Sequence, residues 1–416
     1  MLTRQTPPRL LAGPSLAGDD PEGFGDHLAR LGEVPRDRAR HGLIEALEAS
    51  GLLGRGGAGF PVGRKWRSMA ERRDGRAVVV VNGAEGEPAS FKDRVLMASR
   101  PHLVIDGAML AADAVGADEI VFYVGEEHGA AVAAMASALD QRRTEMGRRS
   151  RLVTAPIGYV SGEATAAVHC INSGDARPTT SPPRMSERGV AGHPTLVQNV
   201  ESLAYAALIA RFGEQWYRSA GRLATRGTAL ITLSGVGAED GVREIELGAT
   251  VGEVAEAAGA RRDAIRAVIL GGYFGTWAGV DEAWDLPLDP EVMRGSGLTF
   301  GCGIVGVLGE GTCGVTAAAR IMRFMARESA AQCGPCVYGL DALGSAVTRV
   351  ATGHARGDDL DRIERLTAIT AGRGACHHPD GAVQHMASAL TVFGEEFREH
   401  ARTGRCSITG DHAGVD

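Results

Sequence analysis

Two cysteines three apart, Cys333 and Cys336, lie in the run ESAAQCGPC (328–336), and Cys376 follows in the run CHH with His377 and His378. A Cys-x2-Cys pair with a later cysteine is the spacing at which thiolates hold zinc or an iron–sulfur cluster. A thioredoxin-type redox pair needs a strand and helix context that this stretch lacks. On the residues alone, a Cys3His zinc set completed by His377 or His378 stands beside the cluster. Cys302 and Cys313 are further thiols with no place in the pattern.

A second chemistry is suggested by GRGGAGFPVGRKW (54–66). Gly54, Gly56, Gly57 and Gly59 let backbone N–H groups approach a phosphate or a flat ring, Phe60 adds an aromatic face, and Lys65 adds a compact positive charge. The loop follows a helical stretch, HGLIEALEASGLL, so it is not the dinucleotide fingerprint, which follows a strand. Next comes NGAEGEPASFKDR (82–94), where Asn82, Glu85 and Glu87 sit just after a strand; the carboxylates can accept hydrogen bonds from ribityl or ribose hydroxyls and are the candidates for the reacting centre. GYVSGEAT (158–165) and HPTLVQNVE (193–201) offer Tyr159, Gly162, Glu163 and Asn199 as weaker candidates.

The elements that must position these groups alternate. AVVVV (77–81) is a buried strand, 101–117 a helix with Pro101 in its first turn, EIVFYVG (119–125) a strand, 128–143 a helix and RLVTAPIG a third strand. Such alternation predicts a parallel sheet covered by helices, with ligands at the loops beyond the strand C-termini. From about 228 the order becomes strand, strand, helix, strand, which reads as a small α+β domain. From 311 to 400 four helical stretches with short connections predict an antiparallel bundle, with the cysteines at its joints. Residues 1 to about 40, rich in Pro, Gly and Arg, read as a loose, partly docked arm.

Composition excludes several classes. The 416 residues carry a net charge of −7, ordinary for a soluble protein and unlike a nucleic-acid binder. No run reaches the ~18 uncharged apolar residues of a membrane helix, and the first residues lack the apolar core of a secretion signal. Seven cysteines, crowded toward the C-terminus, fit a reducing compartment and metal or cluster chemistry better than a disulfide frame. Of 44 basic residues only two are lysines, Lys65 and Lys92, and both fall inside the motifs above. Lys92 has no evident ligand role, and a structural one is expected.

In order and approximate spacing, these motifs resemble the flavin- and NADH-binding subunit of bacterial complex I and its relatives in NAD-linked hydrogenases and formate dehydrogenases. The resemblance runs from about Leu43 to Phe397 and is specific in the combination of GRGGAGFP, EPASFKDR and the ES…C-x-PC element. It implies a Rossmann-like α/β FMN domain (41–225), a small ubiquitin-like (SLBB) α+β domain (226–305) and a four-helix bundle with an iron–sulfur site (306–400), followed by a tail (401–416). It implies hydride transfer from NADH to FMN and single-electron transfer to a cluster. By matching position, Gly54, Gly56, Gly57, Lys65, Asn82, Glu85, Tyr159, Gly162, Glu163 and Asn199 would line FMN. Phe60 and Glu87 would face the nicotinamide nucleotide, and Cys333, Cys336 and Cys376 would ligate the cluster.

The departures from that pattern are specific. The family's Glu-Ser-Cys-Gly is here Glu328-Ser329-Ala330-Ala331, one thiolate short, so three thiolates are expected to hold a [3Fe–4S] cluster or a [4Fe–4S] cluster with another fourth ligand. An Asp of the first loop is Ala84, and a second Glu of Gly-Glu-Glu is Ala164. The aromatic pair around the NADH adenine becomes Ser68 and Arg184, and a phosphate-facing Lys becomes Ser181. A flavin and iron–sulfur oxidoreductase is the leading expectation, with NADH, a ferredoxin or a [2Fe–2S] thioredoxin-like subunit as exchange partner. Its expected place is the cytoplasm, free or attached to a membrane oxidoreductase complex. A zinc-binding or inactive assembly subunit on the same fold is the alternative.

Overall fold

The computed structural model describes residues 7–13, 20–72 and 76–409. They form two compact units, each with its own core.

The first unit comprises residues up to Ile231 together with Val242–Ala249 and Asp289–Glu291. Its helices and strands are α1 (Phe24–Leu31), α2 (Arg36–Arg40), α3 (Leu43–Ser50), α4 (Val62–Ala70), β1 (Ala77–Gly83), α5 (Lys92–Ser99), α6 (Pro101–Val115), β2 (Ala117–Gly125), α7 (Gly129–Gln141), α8 (Arg143–Met146), β3 (Arg149–Ala155), α9 (Ala164–Ser173), β4 (Thr195–Asn199) and α10 (Val200–Arg218, interrupted at Gly213). The strands lie in the order β3-β2-β1-β4, all parallel. Side chains alternate across the sheet. Val79, Val81, Ile120, Phe122 and Val124 join one core with α6 and α10, while Val78, Val80, Val121 and Tyr123 join another with Ala167 and Val168 of α9. Burial on both faces explains why β1 reads as an unbroken apolar run. At Gly107 of α6 an added Cβ would lie 2.1 Å from the carbonyl oxygen of Leu203, so the α6–α10 crossing needs hydrogen there.

The N-terminal segment expected as a partly docked arm carries α1 and α2. Leu10 is fully buried, and its backbone N–H and that of Arg9 donate to Glu244 at 2.9 and 2.8 Å.

The strand order has a consequence for binding. β1, β2 and β3 run outward in one direction, and the chain then returns to place β4 on the other side of β1. The order therefore reverses between β1 and β4, the point at which the loops of an open α/β sheet diverge and ligands bind in the crevice beyond the strand ends. Asn82 and Asn199 pair across this point.

Two strands link the sequences of the units, β5 (Thr228–Gly235) and β6 (Gly241–Glu246). The second unit contains α11 (Val251–Ala257), β7 (Ile265–Leu270), β8 (Thr276–Gly279), α12 (Val280–Ala283) and most of α13 (Pro290–Gly295), then β9 (Ile304–Gly309). β9 pairs parallel with Thr232–Gly235 of β5 and antiparallel with β7, which pairs antiparallel with β8. A helical region follows: α14 (Gly314–Arg327), a π-helical turn (Pro335–Leu340), α15 (Asp341–Ala351), α16 (Asp359–Thr370) and α17 (His378–Thr403, interrupted at Phe393). No helix among the described residues is long and apolar enough to cross a membrane.

Candidate functional site

Most of the residues singled out in the first unit stand at the β1/β4 crevice or in the loops that follow the strands. The glycine loop folds back on itself: Gly54 N–H donates to the carbonyl of Phe60 at 2.9 Å, and a Cβ at Gly54 would sit 3.1 Å from that oxygen. Gly57 has φ +102° and faces open space, while a Cβ at Gly56 would touch the Asn199 side chain at 3.4 Å. The loop thus passes over the end of β4 with room beyond Gly57. Phe60 is 55% exposed, a large ring held in solvent.

Lys65, one turn into α4, carries the most informative charge. Its ammonium donates to the Val197 carbonyl of β4 at 2.5 Å, and no carboxylate among the described residues pairs with it. Burial lowers its pKa to about 8. A desolvated cation without an anion is costly, so the position suits a phosphate.

Lys92 is the opposite case. It is 2% exposed, and its ammonium lies 2.7 Å from Asp93 Oδ1 and 3.0 Å from Glu201 Oε2. It is desolvated too, but the two carboxylates outweigh that and hold its pKa above the usual lysine value. Burial raises the Asp93 carboxyl to about 7, with Lys92 opposing the rise and Glu85 and Glu201 adding to it. Arg55 extends this network. Its backbone N–H donates to Ser202 Oγ at 2.9 Å, its guanidinium to Tyr217 Oη and the Thr228 carbonyl at 3.2 and 3.1 Å, and its Nε is 3.7 Å from Glu201. The expected structural role of Lys92 matches this placement. Arg55, Asp93 and Glu201, which anchor the glycine loop from below, were not singled out by the sequence; the one available signal was an arginine inside a glycine run.

The acidic loop after β1 is ordered by its own carboxylates. Glu85, 7% exposed, accepts from Ser90 Oγ, from the backbone N–H groups of Asp93 and Arg94 (3.2 Å each) and from Arg94 Nε at 3.4 Å. Its charge sits at the N-terminus of α5, where it is favoured. Glu87 accepts from Tyr159 Oη at 3.0 Å, which ties the loop after β1 to the loop after β3. Asn82 Nδ2 donates to the Gly162 carbonyl at 2.8 Å, a second tie. An added Cβ at Gly162 would lie 2.6 Å from the Ala84 carbonyl oxygen, so this approach needs glycine.

Glu163 and Asn199 share a local role. Glu163 caps α9, accepting from Thr165 and Ala166 N–H at 2.8 and 3.0 Å, and Asn199 caps α10, accepting from Glu201 and Ser202 N–H at 3.0 and 3.4 Å. The Asn199 amide also donates to Asp93 at 2.6 Å. Two helix N-termini therefore open toward the ends of the strands, a favourable field for an anion. Ser68, Ser181 and Arg184 are exposed.

In the second unit the three thiols of the sequence pattern come together. Burial pushes the Cys336 thiol up to about 11; a hydrogen bond with Ser329 works against the rise, and Cys333 and Cys376 add to it. The three sulfurs do not all fall within 4.8 Å of one another. A single tetrahedral zinc ion with ~2.3 Å bonds needs its sulfurs ~3.8 Å apart. A polynuclear cluster, in which each thiolate binds a different iron, accepts a wider set. The histidines also stand apart from a zinc set. His377 has a 95% exposed side chain beside Asp380, and His378 Nε2 is 2.8 Å from the Met325 carbonyl. Ala330, where the family carries a cysteine, is buried, and Cys336 lies on the π-helical turn. The donor set fits an iron–sulfur cluster with three protein thiolates.

An α/β unit with an anion-ready crevice at its sheet reversal, in one chain with a unit that gathers three cluster-spaced thiols, defines a flavin and iron–sulfur oxidoreductase. Residues 47–207 match the model of the Nuo51 FMN-binding domain, and residues 316–400 match the NADH-ubiquinone oxidoreductase-F iron–sulfur binding region. An F subunit of the NADH-quinone oxidoreductase of Rhizobium meliloti, the form numbered 2, is 32% identical over 394 residues, covering 90% of this chain and 91% of that protein. The F subunit of the same enzyme in Mycobacterium tuberculosis is 33% identical over 380 residues, covering 88% and 85%. The crystal structure of an NAD+-reducing [NiFe]-hydrogenase in the air-oxidized state superposes with a TM-score of 0.83 at 28% identity, over 91% of this chain and 67% of that one. The chain belongs to the family of NADH-quinone oxidoreductase F subunits. It is a divergent member, an NADH dehydrogenase-like oxidoreductase of the FMN and [4Fe–4S] type.

Proposed function

We propose that the first unit binds FMN in the crevice between β1 and β4 and exchanges electrons with a cluster on Cys333, Cys336 and Cys376. Bound FMN and the cluster would supply the exchange between two-electron and one-electron carriers. The chain's own residues bind and orient. Lys65 supplies the positive charge for the phosphate, beside the backbone of Gly54, Gly56 and Gly57. Asn82, Tyr159, Gly162, Glu163 and Asn199 build the walls through the ties and caps described above. Phe60 and Glu87 are the groups we assign to a nicotinamide nucleotide. Glu85 acts as a positioning residue, because its carboxylate already accepts from four donors at the start of α5. The observation that carries this reading is the partly buried, carboxylate-free ammonium of Lys65 at the sheet reversal.

Along the sequence we read an FMN domain at 41–225, a small ubiquitin-like (SLBB) domain at 226–305 and a four-helix iron–sulfur bundle at 306–400. With Ala330 in place of a thiolate, the cluster is either [3Fe–4S] or a [4Fe–4S] form with a fourth ligand from outside the cysteine set. The relatives are named as oxidoreductase subunits, which supports assembly with partner subunits. A ferredoxin or a [2Fe–2S] thioredoxin-like subunit is the proposed electron partner, in the cytoplasm or at the cytoplasmic face of a membrane oxidoreductase complex.

The test is an anaerobic visible and EPR spectrum of the purified, reconstituted protein before and after NADH. Flavin bleaching with a new cluster signal supports the whole proposal. A flavin spectrum that NADH leaves unchanged removes NADH as donor. Colourless protein that neither quenches FMN fluorescence nor gains thermal stability from FMN overturns the flavin assignment.

A further inference from the structure

A second sulfur-bearing group in the second unit uses none of the cluster thiols. Cys313, His400 and Cys406 are 2%, 0% and 4% exposed, and their ligand atoms all lie within 4.8 Å of one another. Among the described residues this is the one set of three such side chains so closely gathered. We propose that Cys313, His400 and Cys406 bind a single zinc ion that fastens the chain after α17 to the start of α14.

The geometry is that of a mononuclear site. Cys313 Sγ lies 3.4 Å from His400 Nε2. With Zn–S of ~2.3 Å and Zn–N of ~2.0–2.1 Å, the S···N edge of a tetrahedron is ~3.5 Å. Two sulfurs and an imidazole are also the ligand types that favour zinc over magnesium, calcium or manganese.

Backbone N–H groups point at both sulfurs. Cys313 is the N-cap of α14 and accepts from Thr316 N–H at 3.4 Å, at the positive end of a 14-residue helix. Cys406 Sγ accepts from Thr409 N–H at 3.4 Å. Donors of this kind orient and stabilise metal-bound thiolates. The approach of Cys406 is built by the end of α17. Gly404 takes φ +69° and donates its N–H to the His400 carbonyl at 2.9 Å, which turns the chain back. Glu396, one turn before His400, is already engaged by Gly314 N–H at 3.1 Å and by Arg266. The three residues therefore fill three corners of the tetrahedron, and a water or a group from elsewhere fills the fourth.

Without a metal, the arrangement gains little. A thiol is a weak donor and packs as a small apolar group, so nothing in ordinary packing requires two of them and an imidazole at ligand spacing.

The experiment uses the full chain with its flavin and cluster, purified anaerobically from cells supplied with zinc. Elemental analysis should find about one zinc per chain, and zinc-edge X-ray absorption a mixed shell with Zn–S at ~2.3 Å and Zn–N at ~2.0–2.1 Å. Cys406→Ser and Cys313→Ser should each lower zinc by roughly tenfold or more while iron and flavin contents stay unchanged. Zinc absent from the wild-type protein, zinc retained in both variants, or a Cys313–Cys406 disulfide in alkylated digests would each overturn the assignment. The absorption spectrum needs no variant: an all-sulfur shell would place zinc on the cluster thiols and equally refute it.

Discussion

The protonation of Lys65 makes flavin binding depend on pH in a way that isolates the phosphate. In the ligand-free protein burial lowers this lysine to about 8. A phosphate beside it stabilises the ammonium and raises that value, so binding above pH 8 must take up a proton. FMN affinity is then flat below about pH 7, where Lys65 is already charged, and falls about tenfold per pH unit above 8. At pH 9.5 only about 3% of the free protein carries the charge, which weakens FMN by roughly 30-fold, or ~2 kcal/mol. The phosphate's own second ionisation, near 6, is about 90% complete by pH 7 and adds no appreciable slope above it. Fluorescence quenching of FMN by apoprotein, titrated from pH 6.5 to about 9.5, measures the slope directly. Riboflavin, which lacks the phosphate, should show no such slope. Lys65→Met should abolish the slope and weaken FMN by about 10- to 150-fold at pH 7, the range of a charge-assisted hydrogen bond of ~1.5–3 kcal/mol. Lys65→Arg should also remove the slope and weaken FMN, since a broad guanidinium replaces a compact ammonium. A pH-independent FMN affinity in the wild type, or the same slope with riboflavin, refutes the assignment of Lys65 to the phosphate.

Lys92→Met should destabilise the first unit by about 3–5 kcal/mol, because it leaves Asp93 buried without its cation and Glu201 with only Arg55 at 3.7 Å; chemical denaturation reads this, and a loss under about 1 kcal/mol contradicts the network. Glu163→Ala removes the cap of α9 and should cost about 1 kcal/mol, seen as a lowered midpoint in the same assay. Ala330→Cys restores a fourth thiolate and should convert the cluster to a stable [4Fe–4S] form, raising iron per chain and slowing loss of the cluster in air. Unchanged iron content and EPR would show that the fourth position is already filled.

The parallel sheet was legible because β1 and β2 are apolar runs separated by helices of clear periodicity. AVVVV extends only two residues further than expected, to Gly83. The helices at 314–327, 359–370 and 378–403 likewise carry their faces in the sequence. β4 was not legible. TLVQN has five residues and runs straight into α10, and no strand was assigned to it from the sequence. Yet this strand creates the reversal that turns a set of loops into a crevice. β8, with four residues, was too short to read, and β9, with two glycines in its six residues, was missed as well. At the site, residue types showed which groups could bind, but not which were already satisfied. Nothing local distinguishes Glu85, engaged by α5, from Glu87, tied to Tyr159. The Cys313–His400–Cys406 group joins positions 87 and 93 residues apart from Cys313, and only folding brings them together.

The contrast between the two lysines also provides a chemical handle. The chain has 42 arginines and only these two side-chain amines, one of them 2% exposed and held by two carboxylates. Lys65 is half-buried rather than sealed, and near pH 8 about half of it is the neutral, nucleophilic amine. An amine-reactive reagent therefore has one side chain to label in the folded protein, inside the crevice. Mass spectrometry of that single adduct, with and without FMN, would read crevice occupancy directly, with no need for the flavin to be coloured, reduced or turned over.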